Sequence, residues 1–261
     1  MLRPDGRSIE TMDLSERRKQ ILEVLSETGY VTVEELSQRL GVSSVTIRTD
    51  LTALEESGSL VRTHGGAMRT EKKSTTRLLS TTMSEYETQK KAIAGKASFF
   101  ISDDSTIIVD SGSTTIHLMD YVKGRNLTVV TNSIPVVEQL KDDDSVEVFL
   151  IGGSLKRSYM GTIGPLANTA MSLLNADVYF MGAANFDRDG ITSTNLMEVE
   201  LKKAMIKAAD KVVFLADSSK CGRKAFASLC SWEDIDAFVT DSIDDGFRAF
   251  LEDKGIEVLV P

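Results

Sequence analysis

Two periodicities divide the chain. Up to residue 69 apolar positions recur at helical spacing; beyond residue 83 they bunch into short β-branched runs. Asp13 and Glu16 stand three apart, as an N-cap and its reciprocal partner do, ahead of the stripe Ile21, Leu22 and Leu25, which Gly29 ends. Thr32 and Glu35 repeat the signature ahead of Val33, Leu36 and Leu40, and Gly41 closes this second helix. Ser43 caps a third, with Ile47, Leu51 and Leu54 at i, i+4 and i+7 before Gly58. Leu60–Thr63 and then Ala67 and Met68 flank His64, Gly65 and Gly66, the pattern of a two-stranded wing with a Gly-Gly bend. Three short helices, a tight glycine turn and a wing predict a winged helix-turn-helix over residues 13–69.

Residues 70–83 are rich in Lys, Ser and Thr and read as a linker. In 84–261 the apolar runs are 106–110, 127–131, 146–151, 176–181, 211–216, 237–240 and 257–260. Helical stretches at 115–122, 135–140, 165–174, 197–209 and 247–254 fall between most of them. Strands alternating with helices predict an α/β domain around a mostly parallel sheet covered on both faces. The fold class is therefore α/β, a small N-terminal winged helix-turn-helix followed by a larger domain. Asp142, Asp143 and Asp144 read as a solvated turn.

The net charge of −9 argues against a general nucleic-acid coat. A sequence-specific reader needs only a local basic footprint, so the bulk value does not exclude DNA. No run of 18 apolar residues is present and no signal-peptide pattern opens the chain, so no membrane span and a cytoplasmic location are expected. Cys221 and Cys230 match no metal-ligand spacing and read as reduced thiols. No cofactor is implied.

Burying Ile47, Leu51 and Leu54 leaves Ser44, Val45, Arg48, Thr49 and Thr52 on the outer face of the stretch 42–56. Such a helix enters the major groove of double-stranded DNA with its N-terminal side chains toward base edges. Arg48 can bond a guanine or a phosphate. Ser43 caps the helix, and Ser44 and Thr46 are placed for phosphates. Arg62 and His64 on the wing can reach the backbone or the minor groove. One basic residue on the helix is little, so a second copy reading a second half-site is expected. The competing reading is a three-helix protein-interaction module in which Arg48 pairs with Asp50 or Glu55.

In the larger domain small and polar residues follow the strands repeatedly: Asp110-Ser111-Gly112-Ser113-Thr114-Thr115, Thr131-Asn132-Ser133, Gly152-Gly153-Ser154, Gly182-Ala183 and Asp217-Ser218-Ser219-Lys220. Ligands of open parallel sheets bind at that strand end. Gly112 followed by hydroxyl residues opening a helix suits an anion, Asp110 suits sugar hydroxyls, and Lys220, Lys156 or Arg157 can supply countercharge. Together they suggest a phosphorylated sugar or polyol. The plain alternative is a set of ordinary strand-end turns.

Arg18, Ile21, Leu25 and Leu36, then V-S-S-V-T-I-R-T-D-L from Val42 and L-E-x-x-G-x-L-x-R-x-H-G-G-A from Leu54, resemble the N-terminal domain of the DeoR family of bacterial transcriptional regulators. The motifs D-S-G-S-T-T from Asp110, T-N at Thr131, G-G-x-L-K from Gly152, F-x-G-A from Phe180, N-L-x-E-x-E-x-K from Asn195 and D-S-S-K-x-G-R from Asp217 resemble that family's sensor domain, itself similar to ribose-5-phosphate isomerase. The resemblance implies a repressor of a carbohydrate-utilisation operon released by a sugar phosphate. It also implies that Asp110, Gly112, Ser113, Thr114, Thr131, Asn132, Gly152, Gly153, Glu198 and Lys220 line the effector pocket. The chain departs from the family pattern at Ala184, Asn185 and Cys221, at Asp104-Ser105 and at Lys156.

An isomerase or deaminase with an appended DNA-binding module is the rival, with Glu198, Asp110 and Lys220 as its candidate parts. Against it, Glu198, Glu200 and Lys202 read as an exposed helix face with charge pairs. His117 reads as structural, and Trp232 as surface packing or an interface.

Overall fold

A computed structural model describes residues 14–28, 30–56, 59–63, 65–69 and 79–261, and the chain divides into two units, 1–73 and 74–261. The first unit runs α1 (Leu14–Thr28), β1 (Tyr30–Thr32), α2 (Val33–Leu40), α3 (Ser44–Glu56), β2 (Leu60–Thr63) and β3 (Gly66–Arg69). The expected cap at Asp13, the stops at Gly29 and Gly58, and His64 lie outside the described residues.

Thr32 and Glu35 form the reciprocal cap that their spacing predicts. The Glu35 amide donates to Thr32 Oγ1 at 3.1 Å and the Thr32 amide to Glu35 Oε2 at 2.8 Å. Gly41, at φ 67°, ends α2 in the left-handed region that favours glycine. The wing has three strands rather than two, in the order β1-β3-β2, all antiparallel. Three residues of β1 offer too little pattern to signal a strand, and only pairing with β3 makes them one. That pairing requires Gly66, because a Cβ there would stand 2.3 Å from the Val31 carbonyl oxygen. Ile21, Leu25, Leu36, Ile47, Leu51 and Leu60 meet in one core beneath the wing.

The second unit opens with α4 (Leu79–Ser84) and α5 (Glu87–Ala97), then β4 (Thr106–Val109), α6 (Met119–Val122), β5 (Leu127–Thr131), α7 (Ile134–Leu140) and β6 (Val146–Leu150). A hairpin of β7 (Ser154–Lys156) and β8 (Gly161–Ile163) follows, then α8 (Pro165–Met171) and β9 (Ala176–Met181). The chain continues through β10 (Asn185–Asp187), β11 (Gly190–Ser193), α9 (Leu196–Ala208), β12 (Ala209–Leu215), β13 (Ala227–Cys230), β14 (Ala237–Val239), α10 (Asp245–Glu252) and β15 (Glu257–Leu259).

The seven apolar runs become one seven-stranded sheet in the order β15-β14-β12-β9-β4-β5-β6, parallel at every pairing. Successive residues alternate between two apolar layers. Ile107, Val109, Phe180 and Leu215 face one, and Ile108, Tyr179, Met181 and Phe214 face the other. Over the central strands β4, β9 and β12 both faces are covered, so their apolar stretches run through consecutive positions rather than alternating, whereas edge strand β6 leaves Phe149 and Leu150 exposed. The chain leaves β4 toward β6 on one side and returns to β9 on the other, so the strand order reverses beside the carboxyl end of β4.

Several elements depart from the sequence expectation. Residues 79–83, read as linker, lie in α4, and Leu79 is buried in a core layer. The helix α5 was not anticipated, because Ile93, Ala94 and Ala97 give only a short stripe among lysines. The β7–β8 hairpin and the small antiparallel sheet β10-β11-β13 were also unpredicted. The helix expected at 115–122 is a 3-10 turn at Thr115–Leu118 running into α6. Trp232 is neither surface packing nor interface. It is 2% exposed, packs edge-on against Phe186, Phe214, Phe238 and Phe247, and donates from Nε1 to the Asp187 carbonyl at 2.7 Å.

Candidate functional site

In the first unit Ser43 caps α3, its Oγ accepting the Thr46 amide at 3.1 Å and meeting Thr46 Oγ1 at 2.9 Å. Val45, Arg48 and Thr49 are exposed and Ser44 and Thr46 half-buried, so the face expected to read DNA is turned outward. Thr49 and Thr52 spend their hydroxyl protons on the carbonyls of Val45 and Arg48, at 3.1 and 2.9 Å. Arg62 of the wing donates from Nη1 to Thr52 Oγ1 at 2.9 Å, and its amide to Glu55 Oε1 at 3.1 Å. The wing and the recognition helix are thereby clamped together.

The competing pairing of Arg48 is not present. Asp50 is 1% exposed and is held by Arg17 at 2.5 Å and Arg18 at 3.1 Å, both from α1. Glu55 takes the Arg62 amide, and among the described residues Arg48 forms no ion pair. Arg17 and the structural task of Asp50 were not read from the sequence; both sit on different elements and meet only in the fold.

In the second unit the loop Asp110–Thr115 leaves β4 where the strand order reverses. Asp110 is 1% exposed. Its carboxylate accepts from Lys202 Nζ, from the Gly182 amide at 2.9 Å, from Thr115 Oγ1 at 3.1 Å and from Tyr179 Oη at 3.3 Å. Its oxygens are engaged by the protein's own donors, so it braces the site instead of presenting itself to sugar hydroxyls. Lys202 is not on an exposed helix face as expected. Its side chain is 4% exposed, and it also donates to the Gly182 carbonyl at 2.6 Å and stands 3.6 Å from Glu198. Burial would lower the Lys202 pKa, but Asp110 and Glu198 more than offset it, and the pKa stands above the ordinary lysine value. Glu200 is exposed.

Gly112 is required by closeness, since a Cβ there would stand 2.8 Å from Thr115 Oγ1 and 3.1 Å from Asp110 Oδ1. Asn132 is an internal crosslink. Its Oδ1 accepts the Ser111 amide at 3.1 Å and its Nδ2 donates to the Thr162 carbonyl at 2.9 Å, tying the β4 loop to the β7–β8 hairpin. Thr131 is fully buried and donates to the Val109 carbonyl at 2.6 Å. Gly152 and Gly153 are exposed where β6 turns into the hairpin. Ser113 and Thr114 are buried, and Thr114 Oγ1 has no hydrogen-bond partner. Glu198 is half-buried and accepts from Ser193 Oγ at 2.7 Å.

Lys220 donates to the Ala183 carbonyl at 3.0 Å and stands 4.0 Å from Asp217. Burial lowers its pKa, and Lys90 and Lys202 add to that against Asp217. Two further members were missed. Lys90 on α5 is 2% exposed and binds the carbonyls of Thr82 and Glu85, while Tyr159 in the hairpin turn is 8% exposed with an unpartnered Oη. Burial, then the charges of Glu198 and Asp110, raise the Tyr159 pKa, and its ring shares the flank of Gly161 with Ser111 of the loop after β4. Nothing local marks a lone tyrosine in a turn or a lysine inside an unpredicted helix.

His117 is buried with Nε2 unpartnered, burial lowering its pKa, and Lys156 is half-buried and Arg157 exposed. A cavity of about 650 Å³ lies at the amino ends of β5 and β6, lined by Asp104, Asp143, Asp144 and Glu147, the wrong charge for a phosphate. Cys221 is exposed and Cys230 half-buried, both as free thiols. No described helix is long and apolar enough to cross a membrane.

A recognition helix on a wing, followed by an open parallel sheet with a polar cluster at its switch point, defines a DNA-binding regulator with a small-molecule sensor domain. The chain belongs to the DeoR family: residues 17–73 match the DeoR-like helix-turn-helix domain and 85–242 the DeoR C terminal sensor domain. It is 36% identical to the HTH-type transcriptional regulator GlpR of Haloferax volcanii, over 94% of this chain and 97% of that one. It is 35% identical to the HTH-type transcriptional regulator GolR of Listeria innocua, over 94% and 98%, and 30% identical to the HTH-type transcriptional repressor GlcR of Bacillus subtilis, over 94% and 95%. The chain is a transcriptional regulator, not an enzyme.

Proposed function

We propose that this regulator is a cytoplasmic repressor of a carbohydrate-utilisation operon, and that a phosphorylated sugar releases it from its operator. The supporting observation is the polar cluster at the switch point, where two buried hydroxyls stand without partners: Thr114 Oγ1 in the loop after β4, and Tyr159 Oη, which feels the charges of Glu198 and Asp110. The large majority of buried polar groups in native proteins are paired, and a bound polar ligand would supply the partners that these two hydroxyls lack. The phosphate sits against Ser113 and Thr114 where the chain enters the 3-10 turn, with Lys220 as countercharge, and Glu198 takes sugar hydroxyls. Asp110, Thr131 and Asn132 hold that arrangement from behind. Gly152 and Gly153 form its rim.

On DNA, α3 enters the major groove. Val45, Arg48 and Thr49 face the bases, and Ser43, Ser44 and Thr46 face phosphates. Arg62 and His64 carry the wing contacts. The relative named as a repressor supports the sign of regulation. Effector binding shifts the population only as far as it favours one arrangement over the other.

A gel shift on the DNA upstream of the gene, titrated with a panel of sugar phosphates and the matching free sugars, tests this. Release by one sugar phosphate and not by its free sugar is the expected result. A shift that no phosphorylated sugar alters refutes the effector; no shift on any upstream fragment refutes the operator.

A further inference from the structure

Val45, in the first turn of α3, is 68% exposed, the most open large apolar side chain described in the first unit. The core of that unit takes Ile47, Leu51 and Leu54 from α3 and leaves Val45 out. A valine there gives the helix nothing, because it is a poorer helix former than alanine and stiff at χ1. Single exposed apolar side chains are ordinary on a protein surface, so exposure alone assigns no role. The neighbours narrow it. Thr49 stands one turn on, on the same face and exposed. Its hydroxyl donates to the Val45 carbonyl at 3.1 Å, so what Thr49 offers outward is chiefly its methyl. Thr52, a turn further, has its hydroxyl on the Arg48 carbonyl and under Arg62. Arg48 stands beside this strip with no ion pair among the described residues. Between 44 and 52 the one carboxylate or amide side chain is Asp50, which is buried against Arg17 and Arg18. The outward surface of α3 is therefore two apolar groups and one guanidinium, with no carboxylate or amide acceptor.

From these observations we infer that Val45 and Thr49 read the C5 methyl groups of two thymines in the operator, beside a guanine read by Arg48. The thymine methyl is the apolar feature of the major-groove edge, and an apolar side chain is its partner. Adenine and cytosine present an amino donor there, and the side chains that accept from it bidentately or as a charge are the amides and carboxylates that α3 keeps out of reach. The composition of the face thus selects thymine and guanine. Side chains one turn apart have Cβ atoms about 5–6 Å from each other. Successive bases of a strand rise by about 3.4 Å, so the two methyls fall within one or two base steps. The inference rests on the reading of α3 as the helix in the major groove and adds what its valine and threonine recognise. It also gives the helix a source of selectivity that one arginine cannot supply.

The test uses two copies of the upstream DNA, one made with thymidine and one with deoxyuridine. The second keeps every hydrogen-bonding edge and every phosphate and lacks only the C5 methyls. Gel shifts of the full-length wild type and of Val45→Ala are measured on both. Burying one methyl is worth about 4-fold in affinity, so the wild type should bind the uracil fragment roughly 15-fold more weakly for each recognition helix engaged. Val45→Ala should bind the thymine fragment at least about 4-fold more weakly than the wild type, and its own loss on uracil should shrink to about 4-fold, with Thr49 alone remaining. Val45 is exposed and alanine favours a helix, so far-UV circular dichroism should be unchanged. Equal binding of the two fragments by the wild type overturns the inference and leaves DNA binding intact. A uracil loss as large in Val45→Ala as in the wild type overturns it as well, since the methyls are then sensed without the valine. No shift of either fragment overturns the major-groove reading of α3, and this inference with it.

Discussion

Lys202→Met keeps the unbranched stem of a buried side chain, one atom shorter, and removes its charge. The ammonium loses Asp110, the Gly182 carbonyl and Glu198. Asp110 is left 1% exposed with three neutral donors, the Gly182 amide, Thr115 Oγ1 and Tyr179 Oη. Breaking a buried pair by deleting one partner costs about 3–5 kcal/mol. The three surviving donors put this case near the lower end, ~3 kcal/mol. In a unit of this size that lowers Tm by roughly 6–12 °C. The chain has one tryptophan, Trp232, buried in the second unit, so a urea titration followed by its fluorescence reports that unit.

The Lys202 pKa is raised in the folded protein, so folding favours the ammonium form. The pair's contribution is fully present below the unfolded value near ~10.4 and is lost as pH rises through the folded value. The gap between wild type and variant should therefore be flat across neutral pH and close in alkali. Asp110→Asn alone should also destabilise, and the double variant should be less destabilised than the two singles added, by about 1–3 kcal/mol. A Lys202→Met protein within ~0.5 kcal/mol of wild type, or single variants that simply add, would refute the argument that this pair braces the site.

Three further outcomes are expected. Arg48→Ala should weaken the upstream gel shift by about 1–3 kcal/mol, roughly 5- to 150-fold, with the melting curve unmoved. Asp50→Ala strips Arg17 and Arg18 of their common acceptor and should destabilise the first unit by about 1.5–3 kcal/mol in thermal melts of far-UV signal; no change would show the two bonds to be idle. Tyr159→Phe removes an unpartnered buried hydroxyl, so without effector the protein should be as stable as wild type or more so, while release of DNA needs more sugar phosphate; an unchanged release titration excludes Tyr159 from the site.

What the sequence determined by itself was whatever depends on neighbours in the chain. Thr32 and Glu35 cap a helix because an N-cap and its third residue face each other in any helix, and Ser43 does the same for α3. Gly41 ends α2 because few other residues tolerate a left-handed turn there. The seven sheet strands were legible because a strand covered on both faces must be apolar at consecutive positions, which a short window shows. The positions of the polar turns followed, since a parallel sheet puts every strand's exit at one end. The tertiary structure decided what joins residues far apart. Lys202 reaches Asp110 across 92 positions, turning a presumed sugar ligand into a buried brace and a presumed surface lysine into its counter-ion. Trp232 meets four phenylalanines from four separate segments. Tyr159 enters the site because β8 pairs beside the end of β5, through the bridge between Ser133 and Gly161. A local pattern records which face an element buries; it carries no record of which distant element arrives there. The charges and hydroxyls at the switch point take their roles from that arrival.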